Sequence, residues 1–224
     1  MRFELSDSFR NFFSKNHLIE FEEILSSDEA DLLSTKIETL LTSSLGSVPF
    51  KCASNKELWA AGRDQWKQDT EIKKILLKSR IGEIASFLFK KKQIRMAYTQ
   101  SLVTGSLRDS PFTESHTLEE ISSMTPILGG VFLSLSPSEE TEEELLPDLR
   151  KQKKGRAMFF SSTLPIPFPE LFQKQGQKTL LVCFTEARVR YKMQPLDVHT
   201  HTLKKCGYTF GDLILEAEAP YLQH

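Results

Sequence analysis

At Lys92 the spacing of apolar residues changes from near four to two, and that change of period leaves few architectures open. Before it, "SSDEADLLSTKIETLL" opens with the pair Ser26 and Glu29 and then carries Leu33, Ile37, Leu40 and Leu41 along one stripe. That is an amphipathic helix with a capping box at its start. "TEIKKILLKSRIGEIASFLF" repeats the helical spacing through Ile72, Ile75, Leu76, Ile84, Ala85 and Leu88, with Gly82 as the expected break. Closer to the N-terminus, "SDSFRNFFSKN" places Phe9, Phe12 and Phe13 on one helical face, and "HLIEFEEIL" reads as a short strand.

Beyond Lys92, "QIRMAYTQSLV" alternates Ile94, Met96 and Tyr98 against Arg95 and Thr99, as a half-buried strand does. "ILGGVFLSLS", "RAMFFSST" and "TLLVCFTEARVRYKM" are further β-type runs. Helices first and strands after, without β-α-β alternation, predict an α+β fold and argue against a doubly wound parallel sheet. At 224 residues the chain fits one β-rich domain: helical support over roughly 1–90, core strands over roughly 92–192, and a C-terminal helix or extension after 193. The stretch 138–156 runs from an acidic to a basic block and reads as an exposed excursion between core strands, with a docking site for a charged partner as the alternative.

With 29 basic and 30 acidic residues the net charge is −1, so no global field draws the chain to nucleic acid or to an anionic membrane. The basic clusters "FKKKQIR" and "RKQKKGR" read as solvated element ends, the alternative being a salt-dependent phosphate contact. The polar N-terminus and the lack of a long apolar run predict a cytoplasmic protein without a membrane anchor. Cys52, Cys183 and Cys206 are odd in number and far apart, which predicts reduced thiols. No glycine-rich phosphate loop follows any strand. The histidines at 17, 116, 199, 201 and 224 neither reveal nor exclude a nucleophilic triad.

The order of segments resembles the phytanoyl-CoA dioxygenase-like family of Fe(II)/2-oxoglutarate oxygenases. "FFSKNHLIEFEEILSSDEADLLSTKI" is similar to the family's opening, and "RIGEIASFLFKKKQIRMAYTQSLV" to its last support helix and first core strand, with Gln100 as the strand's glutamine. "ILGGVFLSLSP" resembles the strand after the metal motif, and "GRAMFFSSTLPIPFPEL" the strand that ends in the second metal-binding histidine. The resemblance implies a double-stranded β-helix, or jelly roll, buttressed by N-terminal helices. It also implies a site in which two histidines and a carboxylate share one face of the metal.

This chain departs from that pattern. His116 matches the first histidine, but the carboxylate position two residues on is Leu118, and Ile166 stands at the second histidine. No histidine occurs from 117 to 198, so no shift of alignment restores it. Lys178 falls near the family's 2-oxoglutarate-anchoring arginine, though lysine lacks the bidentate fork. A second gathering of ligand-type residues, Asp197, His199, His201 and Cys206, would share a zinc-like site only if extended. "HTLKKCGYTFGDLI" reads instead as a short helix stopped by Gly207.

The expectation is therefore a catalytically inactive binding or regulatory protein on an oxygenase plan, using neither Fe(II) nor 2-oxoglutarate, with a small molecule or a protein as partner. One alternative is an active oxygenase with unusual ligands: His116, Glu119 or Glu120, and a histidine from 199 or 201. The other is a metal-responsive or nucleic-acid-binding regulator that uses residues 197–206.

Overall fold

The change of period at Lys92 becomes a change of layer. The computed structural model describes residues 4–78, 80–105, 109–136, 154–173 and 176–222; most of the acidic-to-basic stretch 138–156 lies outside them. Helices α1 (Asp7–Asn16), α2 (Ser27–Leu45), α3 (Asn55–Ala61), α4 (Thr70–Lys78) and α5 (Ile81–Phe89) precede the sheet, with strand β1 (Leu18–Phe21) among them. Strands β2 (Ile94–Val103), β3 (Met124–Ser134), β4 (Ala157–Ser161) and β5 (Lys178–Tyr191) follow, with short helices α6 (Leu118–Ile121) and α7 (Phe168–Leu171) between them. The five strands form one sheet in the order β1-β4-β3-β5-β2, and all neighbours are antiparallel.

The expected start of α2 is present: Ser26 N–H donates to Glu29 Oε2 at 2.8 Å, and Glu29 N–H donates to Ser26 Oγ at 3.2 Å. The break between α4 and α5 lies before Ile81, so Gly82 sits buried in the first turn of α5 and is not the break. Of the three N-terminal phenylalanines, Phe13 is buried and Phe9 packs edge-on to Phe21, while Phe12 is 54% exposed. Adjacent residues on a helix diverge by about 100°, so Phe12 and Phe13 cannot both face the core.

One face of the sheet packs on the helices through Val131, Leu133, Phe159, Leu180, Val182 and Phe184. The other carries Phe132, Phe160, Leu181 and Cys183 against α6, α7 and Trp59. Two glycines in β3 permit the close packing. A Cβ at Gly129 would meet the Phe89 ring at 2.5 Å, and one at Gly130 would meet Phe160, Leu181 and Leu118 at 2.9–3.1 Å.

Strand β2 departs from its sequence pattern in two ways. All ten of its residues are buried. Its outer edge is covered by Gly62–Asp64, where Ser101 N–H donates to Gly62 O, and by Pro220–Leu222, where Met96 N–H donates to Pro220 O. The pairing with β5 also slips between Met96 and Tyr98. A one-residue slip moves every later side chain to the other face: Ile94 and Met96 join the helical side, while Tyr98 and Leu102 join the opposite cluster.

Candidate functional site

The second face of the sheet brings together three of the positions singled out by sequence, His116, Leu118 and Ile166. His116 N–H donates to Ile166 O at 3.1 Å and Ile166 N–H to His116 O at 2.9 Å, a two-residue bridge that sets the two side by side. Leu118 does not continue an extended strand. Thr117 caps α6, with Thr117 N–H donating to Glu120 Oε2 at 2.8 Å and Glu120 N–H to Thr117 Oγ1 at 3.3 Å. Where the family plan has an extended His-x-carboxylate pair, this chain has a capping box and one helical turn. Leu118 turns inward and is fully buried, while Glu119 turns out and accepts a hydrogen bond from Ser162 Oγ at 2.9 Å.

The space around these three positions is filled by rings. Trp59 packs edge-on to Phe112, Phe168 and Phe172 at 5.2, 5.6 and 5.9 Å between centroids, and Phe112 lies 4.7 Å from Phe168. The His116 ring meets Phe112 at 5.3 Å, and its Nδ1 is 3.8 Å from Glu120 Oε2. The Glu120 carboxyl is held below the usual carboxylate range by Thr117, first through the backbone N–H and then the hydroxyl. These residues do not fit an iron site. One imidazole stands among apolar side chains, Leu118 and Ile166 offer no donor atom, and the two nearby carboxylates face outward into other bonds. Among the described residues, no group of three His, Cys, Asp or Glu is placed to hold a metal ion.

Lys178 points elsewhere. It shares its parity along β5 with Leu180 and Val182, on the helical side, and its Nζ pairs with Glu38 Oε1 of α2 at 2.6 Å. Period-two alternation thus places it on the face opposite His116, apart from the three positions of the family's metal ligands.

A polar centre that the sequence did not announce lies at the end of the same face. Arg63, just after α3, donates from Nη2 to Asp197 Oδ1 at 2.9 Å and from Nε to Gln100 Oε1 at 3.1 Å. Its guanidinium carbon lies 3.9 Å from the centre of the Tyr98 ring. Asp197 Oδ2 accepts from Ser123 N–H at 3.0 Å and from its hydroxyl at 2.7 Å, and Oδ1 also accepts from His199 N–H at 2.9 Å. Gln100 donates to Trp59 O at 2.8 Å, so the glutamine singled out by resemblance orients the arginine.

A cavity of about 40 Å³ is bounded by Arg63, Asp64, Tyr98, Ser123, Asp197 and His199, room for about one water molecule. The Tyr98 hydroxyl lies beside Cys183, and His199 Nε2 lies toward the Ala60 carbonyl. Both are buried and neither makes a hydrogen bond of normal geometry. Burial raises the Tyr98 phenol well above its ordinary value and pushes the Cys183 thiol up to about 12. Burial, and after it the Arg63 charge, push His199 down to about 4. The Arg63–Asp197 pair makes the centre a clamp that ties the chain beyond β5 to the loop after α3.

The segment 197–206 is turned, not extended. Asp197 is buried in the clamp, His199 is half-buried, and His201 and Cys206 are exposed. Leu203–Cys206 forms the expected short helical turn, and Gly207 ends it at φ +88°.

No family model matches the chain, and no curated protein matches it. Solved structures do. A non-heme alpha-ketoglutarate-dependent carbocyclase, SnoK of nogalamycin biosynthesis, matches with a TM-score of 0.70 at 14% identity over 98% of this chain and 97% of its own. The non-heme alpha-ketoglutarate-dependent epimerase SnoN of the same biosynthesis matches with a TM-score of 0.70 at 13% identity over 97% of this chain and 98% of its own. CT296 from Chlamydia trachomatis matches with a TM-score of 0.50 at 16% identity over 84% of this chain and 99% of its own. At such identities the likeness concerns the fold: helices and an antiparallel sheet arranged as in non-heme alpha-ketoglutarate-dependent enzymes.

Proposed function

We propose that the chain is a jelly-roll protein of the phytanoyl-CoA dioxygenase type that has given up iron chemistry and works as a binding or regulatory module. The observation that carries this reading is the bridge between His116 and Ile166 with Leu118 fully buried beside it. In the family plan those three positions carry the metal ligands; here two of them carry apolar side chains inside a packed aromatic cluster. The alternative of an active oxygenase using Glu119 or Glu120 finds both carboxylates exposed and engaged with Ser162 and Thr117.

A binding role for a small molecule has a second support in the fold. An apolar cavity of about 440 Å³ lies between α1 and β1, lined by Phe9, Phe12, Leu18, Ile19 and Met158, within the size range of small-molecule pockets. The decisive experiment is a thermal-melt titration of metal-stripped protein with Fe(II) or Mn(II), each with and without 2-oxoglutarate. A ligand that prefers the native state raises its apparent stability. No shift is expected from either; a saturable rise that needs both would overturn the reading.

A further inference from the structure

Nine large apolar side chains are exposed among the described residues, and seven of them lie within residues 193–221. Met193, Val198 and Leu215 are the most exposed at 58%, 60% and 66%, with Leu196, Phe210 and Leu213 beside them in sequence. Isolated exposed apolar residues need no explanation, whereas exposed apolar residues that the fold brings together mark a contact surface. The two stretches that carry them meet around Tyr191. Its hydroxyl donates to Thr200 O, the Phe210 ring lies 4.7 Å from its ring, and Ile214 N–H pairs with Val189 O. Leu213 and Leu215 alternate with the buried Ile214, so they share the outward side.

Charge selects the partner. Between 188 and 205 the chain carries Arg188, Arg190, Lys192, Lys204 and Lys205 against a single acid, Asp197, which is buried on Arg63. Of the acids that follow, Asp212 closes a turn on Thr209, Glu218 pairs with Lys67 and Glu216 is exposed, so the cations outnumber the acids on this surface. Lys204 Nζ sits 4.4 Å above the Phe210 ring. Exposed apolar side chains with cations beside them, Lys204 at Phe210 and Arg190 bridged to Leu213, match a headgroup boundary, where the apolar groups enter the acyl region and the cations stay at the phosphates.

We propose that this C-terminal face docks on an anionic lipid bilayer. The proposal is independent of what the interior of the fold binds. It departs from the expectation of no membrane contact, which rested on net charge and on the lack of a long apolar segment; a peripheral contact needs neither.

The test is co-sedimentation of the full chain with vesicles of phosphatidylcholine alone and of phosphatidylcholine with phosphatidylglycerol. The same measurement is made on Val198→Glu/Leu215→Glu and on Lys204→Glu/Lys205→Glu, whose positions are exposed and whose melting should match that of the parent. Binding to the anionic vesicles should exceed binding to the neutral ones by about tenfold or more, fall about tenfold in each variant, and weaken with salt. Absence of binding, equal binding to both vesicle types, or variants that bind like the parent would overturn it. So would concentration-dependent self-association removed by Val198→Glu/Leu215→Glu, which would make the face an interface between copies.

Discussion

Arg63 Nη2 and Asp197 Oδ1 lie 2.9 Å apart across 134 positions of sequence, with side-chain exposures of 9% and 2%. That contact ties the loop behind α3 to the segment behind β5. Removing one partner leaves the other charge buried and unpaired, which costs about 3–5 kcal/mol. Urea unfolding should therefore show Asp197→Ala and Arg63→Ala each destabilised in that range. The double variant should lose clearly less than the sum of the two; strict additivity would mean that the pair is not coupled.

His199 gives the clamp a dependence on pH. Burial and the Arg63 charge push its folded-state pKa down to about 4, while an unfolded chain protonates near the ordinary value of about 6.5. The stability gained from the neutral ring is full above that value and is lost as pH falls toward 4, because the unfolded state takes up a proton that the folded state does not. The loss is about 1.4 kcal/mol per pH unit and about 3 kcal/mol in all. His199→Gln should unfold with a shallower pH dependence than the parent between pH 6.5 and 4; parallel curves would remove His199 from the account.

Leu118 and Gly130 form a coupled pair. Leu118 is fully buried, and its Cδ1 would lie 3.1 Å from a Cβ placed on Gly130. Leu118→Ala leaves a cavity and should cost about 2–5 kcal/mol. Gly130→Ala pushes on Leu118, Phe160 and Leu181 and should cost about 1–3 kcal/mol. With Leu118 truncated, the new methyl at 130 enters part of the vacated space, so the double variant should be less destabilised than the sum. Denaturant unfolding of the three variants reads this directly.

The layers of the fold were legible because they rest on local signals: the capping box at Ser26, the stripe through Leu33 and Ile37, and the shift to period two after Lys92. Tyr98 was placed on the wrong face because a bulge leaves no mark in the alternation of "IRMAYTQ". The reading of Glu119 and Glu120 as candidate ligands had a local corrective in the sequence itself, since Thr117 and Glu120 stand at capping-box spacing. Arg63 carried no such signal. Its partners Gln100, Tyr98 and Asp197 lie far along the chain, and only the folded sheet assembles them.

His116 supplies the sharpest test of whether any metal chemistry survives. Its link to Ile166 runs through backbone atoms and so persists when the side chain is removed. The imidazole itself contributes packing on Phe112 and a 3.8 Å approach to the exposed carboxylate of Glu120. His116→Ala should therefore keep the fold, lose about 1–2 kcal/mol through the vacated packing, and leave the thermal response to Fe(II) with 2-oxoglutarate the same as in the parent. If the parent gains stability from that pair of ligands and His116→Ala does not, the imidazole is a working metal ligand. The reading of the interior as a closed apolar core then fails.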